Sequence, residues 1–343
     1  MTARNLDTLI YSREVYARTP RAWAFSATTR DEAEAWQRKV RAGLLRLMGG
    51  FPRRRCALDA EVTASVALPG YMRHTVLFQS RLNMTVYAYL LIPDGYVSPG
   101  PAVICLPGHG RGVDDIVGIE EDGSLRTAYG GYQNDFALQC VHNGMAALAI
   151  EQLGFGHRRD EAARQRGAGN SSCQPAAGAA LLFGETMVGW RSWDVVRARD
   201  LLETRPEIDP HRIGCCGISG GGTITFFAGC VEPRIKAAYT SGYYNTFGDS
   251  IMSLAHCIDN YVPGLLRYAE MYDLVGLIAP RLFFAESGTR DPIFPVGATR
   301  YALARAREVY QVFGAEGQLD SEIFEGEHSF WGVKGMQFLR ERL

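Results

Sequence analysis

The stretch GISGGG (residues 217–222) decides the fold of this chain, because it joins an apolar strand pattern at residues 212–216 to a helical pattern at residues 223–230. Small residues around a serine allow a sharp strand-to-helix turn that exposes the hydroxyl above the sheet. The turn also places Ser219 near a helix N-terminus, where free N–H groups favour developing negative charge. We therefore interpret Ser219 as a nucleophile.

Other interpretations of this stretch are a plain glycine-rich turn and a loop that binds phosphate. A phosphate loop needs a lysine after its glycines, whereas Thr223 and Ile224 follow here. A thiol nucleophile is a further alternative, since Cys215 and Cys216 adjoin the turn. Both cysteines belong to the predicted strand, so we expect buried, small apolar side chains there.

A serine nucleophile needs a base and an acid that orients the base, and both are expected later in the chain, the acid first. Asp291 follows a predicted strand at residues 281–285, and His328 follows the last predicted strand, at residues 322–324. The carboxyl ends of parallel strands meet at one edge of a sheet. The order and the placement therefore predict Asp291 as the acid and His328 as the base.

Two other acids lie near these positions. Asp249 follows a predicted strand at residues 235–239 and is the second choice for the acid, whereas Glu286 is expected to belong to a strand. The histidines that lack a late position at a strand end are left unassigned, and they are His74, His142, His157, His211 and His256.

Backbone N–H groups must also stabilise the oxyanion that forms when a serine attacks a carbonyl. The first donor is predicted to be Gly220, the residue after the nucleophile. The second is predicted in the loop PGHGRG (residues 107–112), which follows a strand at residues 102–106 and is rich in glycine. We expect the N–H of Arg111 to be this donor, with Gly110 as the next choice.

Residues 242–275 form an excursion between two predicted strands at the active end, and we expect a lid there. Its aromatic composition predicts an apolar pocket for an acyl or alcohol group, with simple lid packing as the alternative. The expected pocket residues, which include one residue beyond the histidine, are Tyr243, Tyr244, Phe247, Tyr261 and Trp331.

The whole chain reads as an α/β protein with about eight strands in a mostly parallel, doubly wound sheet that has an antiparallel edge. Residues 61–343 are predicted to form one catalytic domain. Residues 1–60 are predicted as a helical N-terminal extension, in which Thr29 and Glu32 form a capping-box pattern. This extension could support a homo-oligomer or cover the site, and both alternatives stay open.

Composition limits the classes of partner. The chain has 343 residues, of which 47% are hydrophobic, and its formal net charge of -1 gives no global field for nucleic acid or an anionic membrane. No apolar run approaches the ~20 residues of a membrane span. The eight cysteines lack the paired spacing of a disulfide framework or zinc site. We expect reduced thiols, no metal or organic cofactor and a cytoplasmic location.

The sequence resembles the α/β-hydrolase family, in the branch near dienelactone hydrolase and acetyl xylan esterase. Members of that branch are commonly serine esterases on small acyl groups, which implies a triad of Ser219, Asp291 and His328. Dienelactone hydrolases have cysteine at the elbow, and secreted members have a signal peptide, so this chain departs from both. The motifs behind the resemblance are residues 107–110, 154–156, 193–209, 217–222, 256–264 and 288–295.

The leading functional prediction is a serine carboxylesterase acting on a small-molecule ester, with acetyl as the guess for the acyl group. A peptidase of the prolyl-oligopeptidase kind shares the elbow and the order of the triad. Only about a hundred residues precede the loop at residue 107, too few for a propeller that gates peptides. A silent hydrolase fold used for binding is the third alternative, because a fold does not fix a function.

Overall fold

A computed structural model describes residues 4–343 of the chain. Within these residues, nine strands form one mixed sheet. The strands are β1 (Glu61–Leu68), β2 (Tyr71–Arg81), β3 (Met84–Pro93), β4 (Gly100–Leu106), β5 (Ala146–Ile150), β6 (Ile208–Ile218), β7 (Ala237–Ser241), β8 (Leu282–Gly288) and β9 (Leu319–Phe324).

The strand order across the sheet is β1-β2-β3-β5-β4-β6-β7-β8-β9. The pairs among β1, β2, β3 and β5 are antiparallel, and all pairs from β5 through β4 to β9 are parallel. The predicted fold class is confirmed, but the prediction of about eight strands omitted β1. This strand lies at the sheet edge with almost all its side chains exposed, so burial imposes little pattern on its sequence.

The described residues contain eleven α-helices, and several of them cover the sheet. The apolar residues of α2, α7, α8 and α10 pack on one face, and those of α3, α4 and α11 pack on the other. The helices are α1 (Thr8–Arg18), α2 (Arg30–Leu47), α3 (Val113–Ile116), α4 (Phe136–His142), α5 (Glu161–Gln165), α6 (Cys173–Leu182), α7 (Met187–Glu203), α8 (Gly220–Val231), α9 (Met271–Leu274), α10 (Val296–Val312) and α11 (Val333–Arg342).

Residues 4–60, the described part of the predicted N-terminal extension, contain the helices α1 and α2, and α2 packs into the main core. The capping box that starts α2 is confirmed, since Thr29 and Glu32 each accept a backbone N–H of the other. Val40 and Leu44 are buried, and Gln37 Nε2 donates to a backbone carbonyl of the segment just before β8. Across residues 4–343, no helix combines the length and the apolar character needed to cross a membrane.

Candidate active site

The turn between β6 and α8 holds Ser219 in an uncommon backbone conformation, with φ 56° and ψ −121°. A non-glycine residue at positive φ costs energy, and the surrounding structure must hold it there. Ser219 N–H donates to Ser241 O of β7 at 3.0 Å. A side chain at Gly221 would overlap Leu106 O of β4, so glycine is required for α8 to approach the sheet this closely. The local geometry is that of a strained elbow which lifts one serine above the sheet.

Asp291 and His328, predicted as acid and base, lie in contact. Asp291 Oδ2 is 2.7 Å from His328 Nδ1. The other carboxylate oxygen accepts the backbone N–H groups of Ile293 at 2.8 Å and Phe294 at 3.0 Å. These bonds fix the carboxylate and leave one oxygen for the imidazole. An acceptor at Nδ1 favours the tautomer whose Nε2 can take a proton.

The ring of His328 is held between two aromatic rings. The rings of Tyr132 and Phe294 stack against it, each with its centroid 5.7 Å away. Gly242, at φ +50°, passes beneath the ring, where a Cβ atom would lie 2.8 Å from the imidazole. His328 Nε2 is buried and has no hydrogen-bond partner within the described residues. The hydrogen-bonding capacity of His328 Nε2 is therefore unused in this structure.

Ser219 and His328 line the same cavity, which has a volume of about 310 Å³. The other lining residues come from three places: loops on the β4 side, the excursion after β7 and the loop of Asp291. A cavity of this size is at the small end of ligand sites. The remaining lining residues are His109, Tyr132, Leu254, Ala255, His256, Cys257 and Ile293.

The alternative acids occupy other positions. Asp249 is exposed and accepts a hydrogen bond from Thr246 Oγ1 at 2.6 Å, within its own turn. Glu286 is buried in β8, as expected, and accepts the backbone N–H groups of Trp331 at 2.9 Å and Gly332 at 3.0 Å. Glu286 thus anchors the end of the loop that carries His328.

The N–H of Arg111, predicted as the second oxyanion donor, is already bonded within the protein. Arg111 N–H already donates to Asp115 Oδ2 at 2.9 Å, and the Arg111 guanidinium lies 2.6 Å from Asp115 Oδ1. The carboxylate at the start of the next helix therefore takes the N–H that the sequence assigned to the substrate. Gly220 is the first residue of α8, so its N–H has no acceptor inside that helix. Gly110, at φ +154°, remains the candidate in the loop after β4.

The buried carboxylate of Glu151 also supports the loop after β4. Glu151 lies directly after β5 and accepts the backbone N–H of Val113 at 3.3 Å and of His157 at 3.1 Å. Burial raises the pKa of Glu151 to about 7, and these hydrogen bonds only partly offset that effect. No side chain fits at Gly112 or Gly156, because each glycine packs against the Glu151 carboxylate.

The predicted pocket residues do not line the cavity of Ser219. Tyr243 and Tyr244 are buried in the main core, because the chain turns inward directly after β7. Phe247 and Tyr261 border a separate apolar cavity of about 320 Å³. Trp331 is 42% exposed and stacks on Phe324. The excursion does reach the active cavity, but through residues 254–257, whose composition is less aromatic.

Sequence reasoning also missed a polar cluster that adjoins the cavity. His109 Nε2 lies 3.4 Å from Asp259 Oδ2, and Cys173 Sγ lies 3.1 Å from the same oxygen. Burial opposes a charge on His109, but hydrogen bonds to Asp259 and Cys173 raise its pKa to about 9. Burial would raise the pKa of Asp259, yet Arg191 and His109 hold it well below its usual range. These residues are far apart in sequence, so no spacing pattern marked them.

The arrangement of this sheet, elbow and strand-end loops defines an α/β-hydrolase fold, and comparisons with solved structures agree. A Bacteroides fragilis protein assigned as an acetyl xylan esterase superposes with a TM-score of 0.79 at 18% identity, covering 98% of this chain and 90% of that one. A glucuronoyl esterase from Solibacter usitatus superposes with a TM-score of 0.67 at 17% identity, covering 95% of this chain and 99% of that one.

A family model described as Abhydrolase family matches residues 9–322, so the chain belongs to this family of hydrolases. The resemblance seen in the sequence is thereby confirmed at the level of family and fold. Among curated proteins, YtaP of Bacillus subtilis strain 168, assigned as a hydrolase, is 26% identical over 290 residues, covering 82% of this chain and 89% of YtaP. The match to the family model begins at residue 9, inside α1, so it includes most of the predicted N-terminal extension.

Proposed function

We propose that this protein is a serine carboxylesterase with Ser219 as nucleophile, His328 as general base and acid, and Asp291 as the residue that orients His328. The observation that carries the proposal is the 2.7 Å contact between Asp291 Oδ2 and His328 Nδ1. His328 Nε2 has no hydrogen-bond partner within the described residues, and His328 and Ser219 line the same cavity. The esterase names of the structural neighbours support the same class of reaction.

The reaction follows from these positions in two halves. Ser219 Oγ attacks the ester carbonyl while His328 Nε2 takes its proton, and the protonated imidazole then gives that proton to the leaving alcohol. Water attacks the acyl-enzyme with the same assistance and releases the acid. Asp291 orients the ring and stabilises the imidazolium that forms. In this scheme the N–H groups of Gly220 and Gly110 receive the oxyanion, and each is worth ~10²-fold or more in rate.

The cavity favours a small acyl group, with acetyl as the proposed member. Its volume is about 310 Å³, and Leu254, Ala255 and Ile293 give part of it an apolar wall. We expect kcat/KM on p-nitrophenyl esters to fall at least about tenfold from acetyl to octanoyl, since added methylenes that do not fit lose binding energy in the transition state. A preference for octanoyl would overturn the assignment of a small acyl group.

Covalent labelling tests the nucleophile directly. A fluorophosphonate should add once to the wild-type protein, as intact mass shows, and Ser219→Ala should remain unlabelled while keeping its circular dichroism spectrum. An unlabelled wild-type protein, or an unchanged adduct on Ser219→Ala, would remove the proposal. Faster turnover of an aminoacyl anilide than of p-nitrophenyl acetate would favour the peptidase alternative.

A further inference from the structure

Four side chains of the types that bind metal ions lie close together beside the active cavity, and two of them do not border it. The side chains are His109 in the loop after β4, Cys173 at the start of α6, and Cys257 and Asp259 in the excursion after β7. One ligand atom from each lies within 4.8 Å of every other. Only His109 and Cys257 border the cavity, whereas Cys173 and Asp259 are buried.

Three of the distances between ligand atoms are close to those of a tetrahedral zinc site, and all four ligand atoms lie within 4.8 Å of one another. Zinc bound to sulfur at about 2.3 Å and to nitrogen or oxygen at about 2.0 Å places neighbouring ligand atoms roughly 3.3–3.8 Å apart. Cys173 Sγ lies 3.1 Å from Asp259 Oδ2 and 4.0 Å from His109 Nε2, and the last two atoms are 3.4 Å apart. Small adjustments would therefore close the site around one ion.

The buried side chain of Arg191, which contacts two of these ligands, suits a thiolate site for a divalent ion. Arg191 is buried and donates through Nη2 to Cys173 Sγ at 3.2 Å, and its Nη1 donates to Asp259. Its guanidinium is anchored on Leu153 O, so it can serve as an outer-shell donor that orients both ligands. A dication and this guanidinium would balance two thiolates and one carboxylate, which leaves the buried group neutral.

We propose that His109, Cys173, Cys257 and Asp259 bind a zinc ion that fastens the excursion to the loop after β4. Binding would release protons from His109 Nε2 and from the thiols, and no oxidation or reduction is involved. The ring of His109 packs against the elbow, since a Cβ atom added at Gly220 would lie 3.1 Å from His109 Nδ1. A metal on Nε2 would leave the remaining proton on Nδ1, the nitrogen that faces the elbow.

Metal content under reducing conditions tests the site without reference to activity. Protein expressed with zinc, kept reduced and passed through a desalting column should contain about one zinc ion per chain by mass spectrometry. Cys257→Ser and Asp259→Asn should each lose most of that zinc. Cobalt in place of zinc should produce a thiolate charge-transfer band in the wild-type protein that Cys257→Ser weakens.

A second thiol cluster provides the matched control. Cys105, Cys140 and Cys216 also lie within 4.8 Å of one another, but they sit in the apolar core. Cys140→Ala should therefore keep the zinc content of the wild type. A reduced wild-type protein without zinc would overturn the proposal, and so would equal loss in Cys140→Ala and Cys257→Ser. Circular dichroism checks that each variant is folded, and labelling of Ser219 is scored separately.

Discussion

The loops after β8 and β9 differ from the loop after β4 in how their polar groups are bonded. In the loops after β8 and β9, Asp291 is fixed by backbone N–H groups and holds His328, whose buried Nε2 has no partner within the described residues. In the loop after β4, the N–H of Gly108 donates to Gln133 at 2.7 Å, and that of Arg111 donates to Asp115. The loops after β8 and β9 thus leave His328 Nε2 without a partner, whereas two backbone N–H groups of the loop after β4 are already bonded to side chains.

This difference separates two kinds of prediction. The placement of Ser219, Asp291 and His328 at one edge of the sheet can be predicted, because each follows the carboxyl end of a parallel strand. Whether a particular backbone N–H is free depends on which side chains other segments bring to it. A carboxylate four residues further on was enough to remove Arg111 from the list of donors.

The largest expected effect concerns Asp291, the acid proposed to orient His328. Asp291→Asn should lower kcat on p-nitrophenyl acetate by about 10³-fold or more, because the amide would hold His328 in the wrong tautomer. Asp249→Asn, in an exposed turn away from His328, is the matched control and should stay within about twofold of the wild type. A loss confined to Asp249→Asn would reverse the assignment of the acid.

An intermediate effect concerns the carboxylate under the loop after β4. Glu151 has an ordinary pKa of 4.5 when unfolded and about 7 when folded, so the folded state binds more protons between these values. The free energy of unfolding should therefore fall by about 3 kcal/mol as pH rises through this window. Glu151→Gln should remove that part of the slope in urea titrations at pH 5 and pH 8.

The surface residue Glu161 offers a control for this measurement, since it is exposed on α5. Glu161→Gln should keep the pH dependence of the wild-type protein. If Glu151→Gln shows the wild-type slope as well, the stability of the loop does not depend on protonation of Glu151, and another group must carry the pH dependence.

The smallest expected effect concerns the residue that the sequence assigned to the oxyanion. Arg111→Ala should change kcat by less than about threefold and lower the free energy of unfolding by about 1 kcal/mol, because its guanidinium pairs with Asp115. Steady-state kinetics and urea unfolding measure the two effects. A folded variant with at least about thirtyfold lower kcat would show that the guanidinium reaches the substrate.

Much of the fold could be predicted because burial imposes patterns on sequence. The strands that lead to Ser219 and Asp291 contain apolar runs buried on both faces, and the capping box marks the start of α2. The edge strand β1 is exposed along almost its whole length, so burial imposes no such pattern, and the sequence does not predict this strand. The aromatic residues of the excursion were assigned to the pocket, although Tyr243 and Tyr244 serve the core instead.

The sequence by itself determined the family, the strand-to-helix elbow and the order of serine, acid and histidine along the chain, since each depends on neighbouring residues or on strand ends. Only the tertiary structure decided which N–H groups are already bonded, which residues line the cavity and that His109, Cys173, Cys257 and Asp259 meet. The four residues of that cluster come from segments up to 150 positions apart, so no local pattern records them.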